Sequence, residues 1–214
     1  MKKSQLEIIL SKLKVFQKPQ LELEQYPLDG KNASDILWTA FSLKDIEHKT
    51  IADLGCGTGI LGIGALLLGA KKVYFIDKSE AAIKIARENL HLAEKEMNLD
   101  LIRQALFLVG DVANFSTKVD VVMQNPPFGT KTEHLDKVFL EKAMEIAGKI
   151  YTLHKTSTIS FIKKLADKNE FQLTNQVDFK FPLKQTMHFH RQKIKMIDVS
   201  MLRIERLKKP KKEV

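Results

Sequence analysis

The sequence predicts an α/β fold: a seven-stranded, mostly parallel sheet with helices on both faces and an antiparallel hairpin at its end. Three observations carry this. Short apolar strands alternate with segments of helical period, which argues a parallel sheet covered on both sides. "IADLGCGTGILGIG" joins a strand to a helix through a glycine turn. Near the end, Val177, Phe179 and Phe181 alternate with Asp178 and Lys180, and Ile197, Val199 and Met201 alternate with Asp198 and Ser200. Two such strands with no helix between them form a hairpin, so the last strand runs antiparallel.

In order along the chain, Leu6, Ile9, Leu10 and Leu13 recur at helical spacing with lysines between them. An irregular stretch, "KPQLELEQYPLDG", precedes a helical segment around Ala33–Leu43. Strands are expected at 51–54, 73–76, 106–109, 119–123 and 149–153. Helices are expected after Gly59, at 80–97 with Ile83, Ala86, Leu90, Ala93 and Met97 on one face, and at 134–147 through Leu135, Phe139, Ala143 and Ile146. We read 1–207 as one domain with a helical extension at 1–45, followed by a basic tail at 208–214.

A chain of 214 residues, 44% hydrophobic and 29% charged, has the composition of a soluble globular domain with one sizeable core. No apolar run approaches the roughly 18 residues that cross a bilayer, and "MKKSQLEIILSKLK" lacks the unbroken apolar stretch of a signal peptide. The single Cys56 excludes an internal disulfide, in keeping with a reducing cytoplasm. Formal net charge is +9 and lopsided: residues 180–214 hold 11 Lys/Arg against 3 acids, whereas the rest holds 24 against 23. A near-neutral body with a basic end points to a polyanionic partner, nucleic acid first. No Cys/His spacing suggests a metal site.

The glycine loop has two readings. From Gly57 it is Gly-x-Gly-x-x-Gly through Gly59 and Gly62, with Asp77 twenty positions on, the fingerprint of a dinucleotide-binding dehydrogenase. From Asp53 it is Asp-x-Gly-x-Gly-x-Gly, which resembles the first motif of Rossmann-like methyltransferases. In that resemblance the acid serves the cationic amino-acid part of S-adenosylmethionine. Three later features favour the second reading. Asp77 ends the second strand, where a carboxylate accepts ribose hydroxyls. Asp111 ends the third, where it accepts an adenine amino group. Asn125-Pro126-Pro127-Phe128 ends the fourth, and a dehydrogenase has no use for it.

Proline cannot continue a ladder and pushes its predecessor to an extended conformation, so the chain halts at Asn125 in a stiff posture. Such a strand end suits an exocyclic amine, a poor nucleophile whose two hydrogens must be held. The Asn125 side-chain oxygen and a backbone carbonyl of Pro126 or Pro127 accept those hydrogens. Phe128 offers a ring face on which an extruded base stacks, worth about 1–3 kcal/mol.

With these residues in view, the sequence resembles the methyltransferase-like proteins that make N6-methyladenosine in small-subunit ribosomal RNA, known in eukaryotes and archaea. The likeness rests on "LEQYPL", "ADLGCGTGILGIGALLLGA", "NPPFGTK", "IYTLHKTST" and "HFHRQK". It implies S-adenosylmethionine as cofactor, with Gln25 and Tyr26 over its pocket. Gly55, Thr58 and Ile60 would meet the methionine part along a loop shaped by Gly57 and Gly59. Asp77 would bind the ribose, and Asp111 with Val112 the adenine. Leu28 stands where the family usually has Thr and loses a hydroxyl contact. The resemblance also implies a small zinc-binding activator protein paired to a sheet edge, here Leu106–Val109. On the RNA side, Lys155 (with His154), His190, Arg191 and Lys193 are candidates. Methylation of guanine N2, glutamine methylation of a release factor, and an inactive cofactor-bound RNA-binding assembly subunit stay as alternatives.

Overall fold

The computed structural model describes residues 1–16, 28–127, 135–184 and 194–207. Its elements are α1 (Lys3–Ser11), α2 (Gly30–Ser42), β1 (Thr50–Leu54), α3 (Ile60–Leu67), β2 (Lys72–Asp77), α4 (Glu80–Met97), β3 (Ala105–Val109), β4 (Val121–Gln124), α5 (Leu135–Ile146), β5 (Lys149–Lys155), α6 (Ile159–Lys168), β6 (Phe171–Lys184) and β7 (Ile194–Arg206). The seven strands form one sheet in the order β3-β2-β1-β4-β5-β7-β6. Pairs from β3 through β5 are parallel, and β7 pairs antiparallel with both β5 and β6.

Alternate strand residues feed two cores, one on each face. Ile51, Val73, Phe75, Val121, Met123, Tyr151 and Leu153 pack under α1 to α4. Ala52, Leu54, Ile76, Val122, Ile150, Leu202 and Ile204 pack under α5 and α6. Leu6, Ile9 and Leu10 of α1 join the first core, so the helical extension is packed onto the sheet. Helix α4 is bounded by local chemistry: the Ser79 hydroxyl accepts the Ala82 N–H, and Asn98 closes the helix in a left-handed conformation.

The period-2 pattern of the last two strands is realised as cross-strand pairs: Val177 opposes Met201, Phe179 opposes Val199 and Phe181 opposes Ile197. The hairpin is longer than its apolar core, and a bulge at Leu173/Asn175 shifts its register. Helix α6 was not expected. It is 10 residues long and buries Ile162, Leu165 and Ala166, which with Ile159 recur at helical spacing. Trp38 is partly buried against the first core, its ring 5.4 Å from that of Phe41.

At the base of the sheet Asp45 is fully buried and binds elements far apart in sequence. It pairs with Lys149 and accepts from Tyr151 Oη and Arg203 Nε, each at 2.8 Å. Tyr151 and Arg203 are themselves cross-strand partners on β5 and β7. Burial opposes the Asp45 charge, but the hydrogen bonds from Lys149, Arg203 and Tyr151 outweigh it and hold the carboxyl below its usual range. Its contribution is therefore present above the ordinary carboxylate value and fades as pH falls through the lowered one. Asp45→Ala leaves two cations facing an empty site, and is expected to cost about 3–5 kcal/mol in urea unfolding. A loss under about 1 kcal/mol would show the cluster to be ornamental.

Candidate functional site

The site begins where β1 ends. Gly55, Gly57 and Gly59 all have positive φ, which turns the chain sharply into α3. At Gly57 (φ +54°) the nearest of the described residues to an added Cβ is Phe16, its ring 3.7 Å away, so none of them crowds the loop backbone there. Gly62 has the opposite constraint: a Cβ would lie 2.3 Å from the Phe75 ring, so glycine lets α3 settle on β2. The N-cap Gly59 has no side chain to satisfy the first turn. Asp53 reaches across from β1 and accepts the Gly62 N–H at 2.8 Å. Burial pushes the Asp53 carboxyl up to about 7, opposed by that N–H and helped by the nearby Asp77 charge.

The next two strand ends supply acids. Asp77 closes β2; its Oδ2 accepts the Gly57 N–H at 2.9 Å and its Oδ1 the Ser79 N–H at 2.8 Å. One carboxylate thus fixes the glycine loop and the approach to α4, with lone pairs left for a ligand. Asp111 follows β3 and accepts the Ala113 N–H at 2.9 Å, capping a short turn at Val112–Asn114. Asp111 is exposed and Val112 buried, so the acid projects while its neighbour anchors the turn.

Strand β4 ends at Gln124, as the proline pair requires. In the parallel register Leu54 of β1 stands beside Gln124, so the glycine turn and Asn125 leave the sheet side by side. Behind the turn runs a buried polar chain: Gln124 Nε2 donates to Thr152 Oγ1 at 3.0 Å, which meets His154 Nε2 at 2.8 Å. His154 was expected at the surface or on RNA. It is 2% exposed instead, and burial pushes its imidazole down to about 4, so it is neutral and internal. Strand β5 is buried on both faces out to His154, which its place beside the site did not reveal.

These parts surround a cavity of about 370 Å³. Leu28, Asp53, Gly55, Gly57, Thr58 and Ile60 line it from the first strand end. Asp77, Asp111 and Val112 line its middle, and Asn125, Pro126 and Pro127 its far side. Gly59 does not line it; its Cα faces Ala86 of α4. Lys155 ends β5 outside the wall. Gln25, Tyr26, Phe128, His190, Arg191 and Lys193 lie outside the described residues, as does the tail at 208–214. Sequence reasoning missed Phe16, Lys78 and the α5 wall of Leu135, Val138 and Phe139. Of these, Leu135 and Phe139 carried a signal, as apolar residues of the α5 stripe.

The cavity's chemistry fits an adenosyl sulfonium. A buried carboxylate stands at one end, hydroxyl-accepting acids follow, and glycine leaves the intervening backbone approachable. Among the described residues no cluster of His, Cys, Asp and Glu suits a metal, and no helix is long and apolar enough to cross a membrane.

The family model of ribosomal protein L11 methyltransferase (PrmA) matches residues 38–126. Over 206 residues the chain is 35% identical to the rRNA N(6)-adenosine-methyltransferase METTL5 of Danio rerio, covering 95% of this chain and 98% of that one. It is 36% identical over 210 residues to the protein of that name in Drosophila melanogaster, covering 96% and 97%. The crystal structure of PH1948 from Pyrococcus horikoshii matches with a TM-score of 0.85 and 40% identity, over 97% of this chain and 98% of that one. The chain belongs to the METTL5 family of rRNA N(6)-adenosine-methyltransferases.

Proposed function

We propose that this protein transfers a methyl group from S-adenosylmethionine to N6 of an adenosine in small-subunit ribosomal RNA, and that residues 1–207 form the single domain that does so, in the cytoplasm. The observation that carries the reading is the register of β1 and β4, which sets Asn125-Pro126-Pro127 beside the glycine loop in one cavity. The family's near-full-length identity supports the choice of base and RNA.

S-adenosylmethionine, when bound, supplies a methyl group already activated on a sulfonium. The chain's own task is then to position and to accept hydrogen bonds. Asp53 faces the ammonium end of the cofactor, Asp77 holds the ribose hydroxyls, and Asp111 with the Val112 backbone takes the adenine edge. Gly55, Thr58 and Ile60 bring the loop against the methionine part. Asn125 and a proline carbonyl accept the two hydrogens of the target amine, so its nitrogen pyramidalises with the lone pair toward the methyl. With the cofactor bound, the new N–C bond would replace the S–C bond, whose electron pair returns to sulfur, and one of those hydrogens would be lost as a proton to solvent. Phe128 stacks on the extruded base.

Two contacts extend beyond the cavity. Lys155, His190, Arg191 and Lys193 meet RNA phosphates, in keeping with the basic end of the chain. Strand β3 is an edge of the sheet, with Leu108 39% and Val109 56% exposed, and takes a small activator protein by strand pairing.

Asn125→Ala is expected to lower the methylation rate about a hundredfold or more, roughly 3 kcal/mol in the barrier, with cofactor affinity nearly intact. Phe128→Ala should weaken RNA turnover and Phe128→Tyr largely preserve it. An Asn125→Ala protein with near-normal kcat would sink the amine clamp. With its carboxyl near 7, Asp53 carries its full charge only on the alkaline side. Cofactor affinity should therefore rise by up to about tenfold per pH unit below 7, and Asp53→Asn should flatten that rise. A pH-independent wild-type titration would contradict this role. Reversing the charges of Arg191 and Lys193 should remove about one unit of salt slope per lost contact in RNA binding. Leu108→Lys should abolish copurification of an activator, with cofactor affinity unchanged. Insensitivity of both assays would confine function to the cavity.

A further inference from the structure

Asn89 of α4 has no exposed surface, and it is the one amide among the buried Ala82, Ile83, Ala86, Leu90 and Ala93 of that helix. Both of its amide hydrogens and its oxygen are hydrogen-bonded. Oδ1 accepts the Lys14 N–H at 2.7 Å, while Nδ2 donates to the Lys14 carbonyl at 2.9 Å and to the Thr58 carbonyl at 2.9 Å. One amide therefore imitates a neighbouring strand toward Lys14 and, with its second hydrogen, grips the glycine loop. Lys14 Nζ also pairs with Glu88 at 2.8 Å, and Lys12 pairs with Glu96, both on α4. Exposed pairs of this kind hold weakly, so the buried amide sets the register of the segment.

Two residues beyond Lys14 the chain presents Phe16. Its ring belongs to neither core cluster; it stands in the cavity wall, 3.7 to 3.8 Å from where a Cβ on Gly57 would lie. The same Gly57 donates its N–H to Asp77, so the ring and the ribose-side carboxylate flank one loop residue. Half-buried, outside both core clusters and lining the cavity, the ring stands where a flat or cationic ligand surface would cover it.

We infer that Phe16 is a cofactor-contacting residue that closes the ribose side of the pocket, and that Asn89 is the positioning residue that places it there through Lys14. This rests on the cofactor reading above. Asn89 ties the strap and the glycine loop into one unit, so binding of the adenosyl ligand and docking of the strap are coupled.

The test is isothermal titration of S-adenosylhomocysteine into the full chain, with kinetics in S-adenosylmethionine. Phe16→Ala is expected to weaken binding about tenfold and to raise the cofactor KM in proportion, with kcat at saturation within about twofold. The melting temperature of the ligand-free protein should not move, and Phe16→Tyr should recover the affinity. Asn89→Asp turns acceptors toward the Lys14 and Thr58 carbonyls and should weaken binding similarly. Combined with Phe16→Ala it should cost less than the sum of the two single effects, because the Phe16 contact is lost in both. If Asn89→Asp does not fold, amide exchange at Lys14 in the wild type serves instead, and saturating ligand should slow it about tenfold or more. Wild-type binding with Phe16→Ala unaffected, or full additivity of the two changes, or Lys14 exchange indifferent to ligand, would overturn the inference alone. Failure of the wild type to bind S-adenosylhomocysteine would instead remove the cofactor reading on which it rests.

Discussion

The parallel pairing of β1 with β4 is the constraint on which the rest depends. It sits at the point where the strand order reverses, with β2 and β3 to one side and β5, β7 and β6 to the other. Connections leave the sheet on opposite faces there and open a crevice at the carboxyl ends. Because Leu54 stands beside Gln124, the glycine turn and the Asn-Pro-Pro turn emerge together. A slip of one residue would swap the faces of Val121, Val122 and Met123, and would set the Gln124 amide against the apolar core of the other face, away from Thr152. Packing on both faces therefore specifies the site as strictly as the fold.

Two buried aspartates show how one chemical group is given opposite tasks. Asp45 receives three donors, two of them cationic, and is held ionised to tie α2, β5 and β7 together. Asp53 receives a single backbone N–H and sits near another acid, so burial dominates and its charge is only half established at neutral pH. The first is complete without a ligand. The second gains most from a cation arriving in the cavity. The difference lies in donor count, since both side chains are almost wholly removed from water.

What could be read from the sequence were features whose cause is local. Asp77 and Asp111 were legible because strand ends and acids are both visible in a short window, and the structure places both on the cavity wall. The terminal hairpin was legible because its apolar residues alternate over five positions in each strand, and those residues pair across it. Asn89 and Phe16 were not legible, since their meaning arises from a contact 75 residues apart in sequence. Asn89 did leave a trace, as a polar residue beside the apolar stripe of α4. His154 was misplaced for a related reason: proximity to the strand end is visible in sequence, but that β5 is buried on both faces out to that position is a tertiary fact. Helix α6 was legible too, in Ile159, Ile162, Leu165 and Ala166 at helical spacing.

The central claim is that this cavity holds an adenosyl cofactor and an adenine amine side by side. It is tested most directly by incubating the purified protein with unmodified small-subunit ribosomal RNA and methyl-labelled S-adenosylmethionine, then identifying the labelled nucleoside by mass spectrometry. The account predicts N6-methyladenosine in the wild-type reaction. Label in N2-methylguanosine, or in no nucleoside while the protein binds both RNA and cofactor, would contradict it.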